Sequence, residues 1–252
     1  MITSPFRLPL ILLASVALAA AVHAKVTERI SQNYAFNPDG VISLSNINGD
    51  IEIVAWDKNE VSLEAEKIAS DDVGLKRITI VIEHTPAHLS IKTVYEKKWK
   101  FWGNSQAEVR YKLRVPAGVS LRKIDVVNSD ITLRGVTGYV DLDSVNGSIS
   151  AEGLASGGNF DTVNGSINAS FSAVNPSDRI RLDTVNGSCT AELPAGSAFN
   201  LVADSVNGRI SCDFPVTIEK SGRRHLEGTV NGGGATVVLD SVNGGLRVRT
   251  AK

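Results

Sequence analysis

Along most of this chain apolar and polar residues alternate, and the alternation is phased on a repeated tripeptide. Val145-Asn146-Gly147, Val163-Asn164-Gly165, Val185-Asn186-Gly187, Val206-Asn207-Gly208, Val230-Asn231-Gly232 and Val242-Asn243-Gly244 are full copies, and Ile47-Asn48-Gly49 and Val127-Asn128-Ser129 are weaker ones. With each Asn as origin, apolar residues stand four before it (Leu142, Phe160, Leu182, Ala203, Leu239) and often six before it (Val140, Ile180, Val237). They return three after it (Ile131, Ile149, Ile167, Cys189, Ile210, Leu246) and five after it (Leu133, Ala151, Ala169, Ala191, Cys212, Val248). A period of two on each arm predicts two strands, each with one buried face, meeting at the tripeptide.

A unit this short cannot bury its apolar face alone, so the repeats must stack. From Asn128 onward the Asn residues are 18, 18, 22, 21, 24 and 12 residues apart. Asn-Gly is turn chemistry, because both residues tolerate positive φ. It is also a hairpin signal, which keeps an antiparallel sandwich or meander as the alternative. A two-residue hairpin needs apolar positions placed symmetrically about the turn, and here they are not. The expectation is therefore an all-β parallel β-solenoid, with successive coils about 4.8 Å apart.

Before Asn128 the pattern loosens into longer alternating runs, such as Val61 to Ala65, Ile78 to Ile82 and Val109 to Val115. These predict a broader N-terminal β region over residues 25–115 that caps the repeat region over 116–252, since an open end exposes strand edges and core. Asp71 to Arg77 has room for one helical turn. Residues 1–24 read as a signal peptide: Arg7, an apolar run from Leu8 to Ala21, and Val22-His23-Ala24 as the cleavage site. No later run is long and apolar enough for a membrane span. Losing Arg7 with the leader leaves 25 basic against 27 acidic residues, a balance too even to point to nucleic acid.

Several rows have chemistry of their own. Three before each Asn stand Asp125, Asp143, Asp161, Asp183, Asp204 and Asp240, which form a carboxylate column if the strands are in register. The expected structural role is capping: each Asp accepts hydrogen bonds from the turn and from its neighbour Ser144, Thr162, Thr184, Ser205 or Ser241. Asp143, Asp161, Asp183 and Asp204 are the metal candidates, as oxygen ligands for calcium. A carboxylate pair for polysaccharide cleavage is the remaining option. Asn128, Asn146, Asn164, Asn186, Asn207, Asn231 and Asn243 are expected to stack as an amide ladder.

Cys189 and Cys212 fall on inward positions of successive repeats, offset by two residues. This makes them a candidate disulfide, with buried free thiols as the default. Lys97 to Gly103 breaks the repeat, and its Trp99, Phe101 and Trp102 are a candidate contact surface. His84, His88 and His225 have no zinc spacing, and no nucleophile elbow, P-loop or dinucleotide fingerprint is present. No cofactor is expected.

Val115-Pro116-Ala117-Gly118 followed by Asp143 to Ile149, Asp161 to Ile167, Asp183 to Ser188, Asp204 to Ile210 and Asp240 to Gly244 resembles a large bacterial domain-of-unknown-function family labelled "putative adhesin". The resemblance runs from about Ile42 to Val248. It implies a right-handed parallel β-solenoid and brings no catalytic residues. The sequence thus reads as a periplasmic or secreted, non-enzymatic binding or scaffold module of the cell envelope whose partner is an envelope glycan or protein. The alternatives are a polysaccharide-acting enzyme and a periplasmic accessory of an envelope signalling system.

Overall fold

The computed structural model describes residues 25–96 and 107–251; residues 1–24, read above as a signal peptide, and the stretch holding Trp99, Phe101 and Trp102 lie outside the described residues. After β1 (Val26–Ala35), the first coil is β2 (Val41–Asn48) with β3 (Ile51–Trp56). Then come β4 (Glu60–Ala69), α1 (Asp72–Lys76) and β5 (Ile78–Thr85), and a second coil of β6 (His88–Tyr95) with β7 (Glu108–Pro116). The regular coils are β8 (Ser120–Asn128) with β9 (Ile131–Arg134), β10 (Val140–Asn146) with β11 (Ile149–Leu154), β12 (Gly158–Asn164) with β13 (Ile167–Phe171), and β14 (Arg179–Asn186) with β15 (Cys189–Leu193). The chain ends with β16 (Phe199–Ser205), β17 (Ile210–Cys212), β18 (Val216–Ser221), β19 (His225–Val230), β20 (Ala235–Asn243) and β21 (Leu246–Thr250).

The first strand of every coil lies in one 11-stranded sheet and the second in a facing 10-stranded sheet. Coils pair in parallel and in register, Leu142 with Phe160 and Leu182, Ile149 with Ile167. The inward rows at minus six, minus four, plus three and plus five are buried along the regular coils, as the alternation requires, except that a bulge in β8 puts Leu121 inward in place of Arg122. One hydrophobic cluster runs from Phe36 to Val248, crossing the point between β7 and β8 where the regular repeats begin. Phe160 and Phe171 meet edge to face at 6.4 Å inside it, and Phe199 and Phe214 do so at 5.2 Å at the far end.

Coil order departs from chain order at both ends. The sheet orders run β6-β2-β8-β10-β12-β14-β20-β16 and β7-β3-β9-β11-β13-β15-β21-β17. The last coil of the chain, β20 with β21, is thus inserted between β14–β15 and β16–β17. Antiparallel strands close the stack: β4 and β1 beyond β7, β5 beyond β6, and the β18–β19 hairpin beyond β16. The single turn foreseen near Asp71 is α1, capped by the Asp71 carboxylate, which accepts from the Gly74 amide at 2.6 Å.

The inserted coil corrects two expectations. Cys189 and Cys212 are not on neighbouring coils: β21 lies between β15 and β17, and both are free thiols. Burial pushes the Cys189 thiol up to about 12 and raises Cys212 as well. A thiol reagent at pH 8 is therefore expected to spare Cys189 in the native protein and to modify both after denaturation without reductant. Finding no thiol in the denatured, unreduced chain would contradict this strand order. Asn231, in turn, is not a coil corner. It takes φ 50° in the short turn from β19 to β20, and its amide donates to the Ser197 carbonyl at 2.9 Å.

Candidate functional site

The corner between the sheets is built from three hydrogen-bond ladders. In the first, each Asn Nδ2 donates to the Oδ1 of the next coil's Asn: Asn128 to Asn48, Asn146 to Asn128, Asn164 to Asn146, Asn186 to Asn164, Asn243 to Asn186 and Asn207 to Asn243, at 2.8–3.0 Å. Asn48, a member of the weak first copy, belongs to this ladder. The second ladder uses the inward hydroxyls. Ser144, Thr162, Thr184, Ser241 and Ser205 donate to the carbonyls of Ser129, Gly147, Gly165, Gly187 and Gly244 on the adjoining coil. Those hydroxyls are spoken for, so they do not cap the aspartates as the sequence suggested. In the third, Asp130 Oδ1 and the Ser148, Ser166 and Ser188 hydroxyls accept from the Ser148, Ser166, Ser188 and Gly245 amides. Each such bond contributes on the order of 1 kcal/mol, and a desolvated partner left alone costs more.

Sidedness then places the functional rows. Because Leu142 and Ser144 point inward, Asp143 and Val145 point out, and the register repeats this on every coil. One outward row reads Lys92, Ser45, Asp125, Asp143, Asp161, Asp183, Asp240, Asp204, His225 across adjacent strands. Two residues along lies a second row: Val94, Ile47, Val127, Val145, Val163, Val185, Val242 and Val206, each 37–53% exposed. One residue further stands the Asn ladder. At about 4.8 Å per coil the apolar stripe is roughly 34 Å long. Scattered exposed valines are ordinary, whereas here they form one unbroken exposed stripe.

Charge is unevenly settled along the row. Arg181, two positions before Asp183, bridges Asp183 at 2.6 Å and Asp240 at 3.2 Å. His225 closes the end against Asp204 at 2.6 Å, and that hydrogen bond raises its pKa. Asp125, Asp143 and Asp161 have no such ion pair among the described residues, and Asp141 adds a further charge beside them. Partial burial raises all three, with neighbouring carboxylates adding to it; Asp161 reaches about 6. No group of three or more His, Cys, Asp or Glu among the described residues is placed to hold a metal ion; Asp143, Asp161 and Asp183 stand as separate carboxylates one coil apart, and Asp204 lies two coils beyond Asp183.

A native Asp161 near 6 holds its proton more tightly than the unfolded chain, where an aspartate titrates near 4. Between those values the folded state binds more protons, so stability falls as pH rises through about 4 to 6. Asp161→Asn removes this penalty. It is expected to raise Tm at pH 7.5 and to leave it unchanged at pH 4, where the wild-type side chain is already neutral. A Tm that drops at pH 7.5 would show instead that the carboxylate stabilises the fold.

The basic aromatic stretch lies outside the described residues; in sequence it falls between β6 and β7. Its flank extends the ladder, with Asn48 Nδ2 donating to the Ala107 carbonyl at 3.2 Å. The valine stripe was missed in the sequence because the valine reads as part of a turn motif. Its parity with Asp at minus three was the available signal.

The profile of the family described as Toastrack DUF4097 matches residues 25–249, and the chain belongs to that family. Among curated proteins, none matches. The chain is similar to a solved "putative cell adhesion protein" from Clostridium sporogenes at 12% identity and TM-score 0.44, covering 89% of this chain and 100% of that one. A "putative adhesin" from Bacteroides fragilis aligns at 14% identity and TM-score 0.42, covering 89% and 97%. A "Putative lipid binding protein" from Parabacteroides distasonis aligns at 12% identity and TM-score 0.30, with the same coverage.

Proposed function

We propose that this Toastrack chain is an exported, non-enzymatic binding module of the bacterial cell envelope, and that its binding surface is the striped outer face of the 11-stranded sheet. The observation that carries this reading is the unbroken line of exposed Val94, Ile47, Val127, Val145, Val163, Val185, Val242 and Val206 beside the Asp row. From β8 to β16 each coil repeats Asp and Val at the same outward positions, so the face suits an extended partner, an envelope glycan or protein, better than one small reacting group. The leader-like residues 1–24 support export, and no helix among the described residues is long and apolar enough to cross a membrane. Trp99, Phe101 and Trp102, which fall in sequence between β6 and β7, are proposed as a second contact element.

Co-sedimentation of the purified protein with isolated envelope fraction tests this reading. Val145→Thr with Val163→Thr keeps β-branching and removes the apolar line, and is expected to weaken association at least tenfold; Trp99→Ala with Trp102→Ala gives the comparison. Unchanged association in the valine variant would remove the face from consideration. Glycan turnover that disappears with Asp161→Asn would replace binding by catalysis.

A further inference from the structure

The valine stripe lies in a shallow groove lined by Ile47, Val127, Val145, Val163 and Val185, with Asp125, Asp143, Asp161 and Asp183 along one side. Its two halves differ. On the side of Asp183, Asp240 and Asp204 the chain supplies its own partners, the Arg181 cation and the His225 imidazole. Arg181 shows how a cation sits here: one nitrogen reaches the carboxylates of two adjacent coils at once. At the corresponding outward position, two before the Asp, the next two coils hold Asn159 and Asp141 instead; Lys123, two before Asp125, acts on that carboxylate by its charge without an ion pair, so among the described residues no side chain bridges Asp125 with Asp143 or Asp143 with Asp161.

We propose that this open half of the groove takes a linear aliphatic polyamine, its ammonium groups bridging Asp125 with Asp143 and Asp143 with Asp161, and its methylenes lying on Val127, Val145 and Val163. The proposal rests on the striped face being the binding surface and names the ligand class. Charge complementarity selects a polycation, and the apolar stripe selects one with an aliphatic chain. The pitch selects the spacer. Successive bridging positions are one coil apart, about 4.8 Å, and two amines joined by three methylenes stand about 5 Å apart when extended, from four bonds near 1.5 Å. Lysines on one face of an extended peptide recur at roughly 6.6–6.8 Å and fall out of step. A hard divalent cation wants several converging oxygens and gains nothing from valine.

Isothermal titration of the folded protein with bis(3-aminopropyl)amine at 150 mM salt tests this, with hexaamminecobalt(III) as a trivalent probe that lacks methylenes. The triamine is expected to bind saturably, at least tenfold weaker in Asp143→Asn with Asp161→Asn, and at least threefold weaker in Val145→Thr with Val163→Thr. The cobalt complex is expected to bind more weakly than the triamine and to ignore the valine change. Equal binding of the two probes, or a triamine indifferent to the valine variant, would overturn the proposal and leave only non-specific attraction. If the triamine fails to bind while the valine variant still loses envelope association, the ligand class falls and the striped-face reading stands.

Discussion

Deleting residues 235–252 is expected to abolish cooperative folding, although in chain order it removes only the last repeat. In a solenoid whose coils follow the sequence, such a cut trims one end and costs one interface. Here β20 is paired on both sides, Val237 with Ile180 and Leu201, Leu239 with Leu182 and Ala203. β21 likewise joins Cys189 to Leu246 and Leu246 to Ile210. The cut removes Val237, Leu239, Leu246 and Val248, all essentially buried, and severs β16 to β19 from the stack. At roughly 1.5–3 kcal/mol for each buried side chain, the loss approaches the whole stability of an ordinary domain, about 5–15 kcal/mol. Deleting residues 25–35 is the control. β1 is an edge strand with a mostly exposed face, paired only to β4, so its loss is expected to lower Tm and preserve a single transition. Circular dichroism melts of the two deletions decide the matter. A C-terminal deletion that melts cooperatively near the wild-type Tm would refute the inserted coil.

The strands and their buried faces were legible in the sequence because alternation and burial are the same fact along a β-strand. Leu142, Phe160 and Leu182 announce an inward row wherever the neighbouring coil comes from. That indifference is also why coil order was not legible. Every regular coil offers the same edge in the same register, so Asn186 can be followed by Asn207 or by Asn243 without a change in local pattern. What distinguishes them is the β18–β19 hairpin, which binds the far side of β16 and returns the chain to the gap. The only trace was the 12-residue step from Asn231 to Asn243, too short for a coil. Asn231 shares the tripeptide but not the environment, and the expected placement of Cys189 and Cys212 on neighbouring coils failed for the same reason, since adjacency in sequence was read as adjacency in space.

The Asp row was legible in register but not in role. Its expected hydrogen bonds from Ser144, Thr162 and Thr184 go to corner carbonyls, because those side chains point inward and the carboxylates outward. What remains on the surface is a line of charge with neighbours of like sign, partly neutralised by Arg181 and hydrogen-bonded at one end by His225. Residue type alone does not reveal that division; it follows from which side chains the assembled sheet sets beside each Asp.

Gly187→Ala is expected to be among the most damaging single substitutions in the chain, for a reason other than the one the Asn-Gly motif suggests. Gly147, Gly165, Gly187, Gly208 and Gly244 do not take positive φ, so conformational freedom is not what the corner requires. The requirement is space. A Cβ on Gly187 would fall on the Gly165 carbonyl oxygen, and one on Gly244 on the Gly187 carbonyl oxygen, each under the 3.0 Å floor for real contacts. The obstacle is backbone on a neighbouring coil, which cannot swing aside as a side chain can. Moving it also strains the Thr184 hydroxyl bond to Gly165 and the Ser241 bond to Gly187. The expected loss is about 3–5 kcal/mol, in the range reserved for core strain. Gly196→Ala meets nothing within 4 Å and is expected to be neutral or mildly stabilising. Ser129 occupies the glycine position of its own coil with a buried hydroxyl that has no partner among the described residues, so the glycine rule already bends where the regular stack meets the first coil. Next to it Gly49 does adopt a positive φ, 104°. Denaturant melts of Gly187→Ala and Gly196→Ala separate the two explanations. Equal effects would mean that chain entropy, rather than the approach of neighbouring backbones, keeps glycine at the corner.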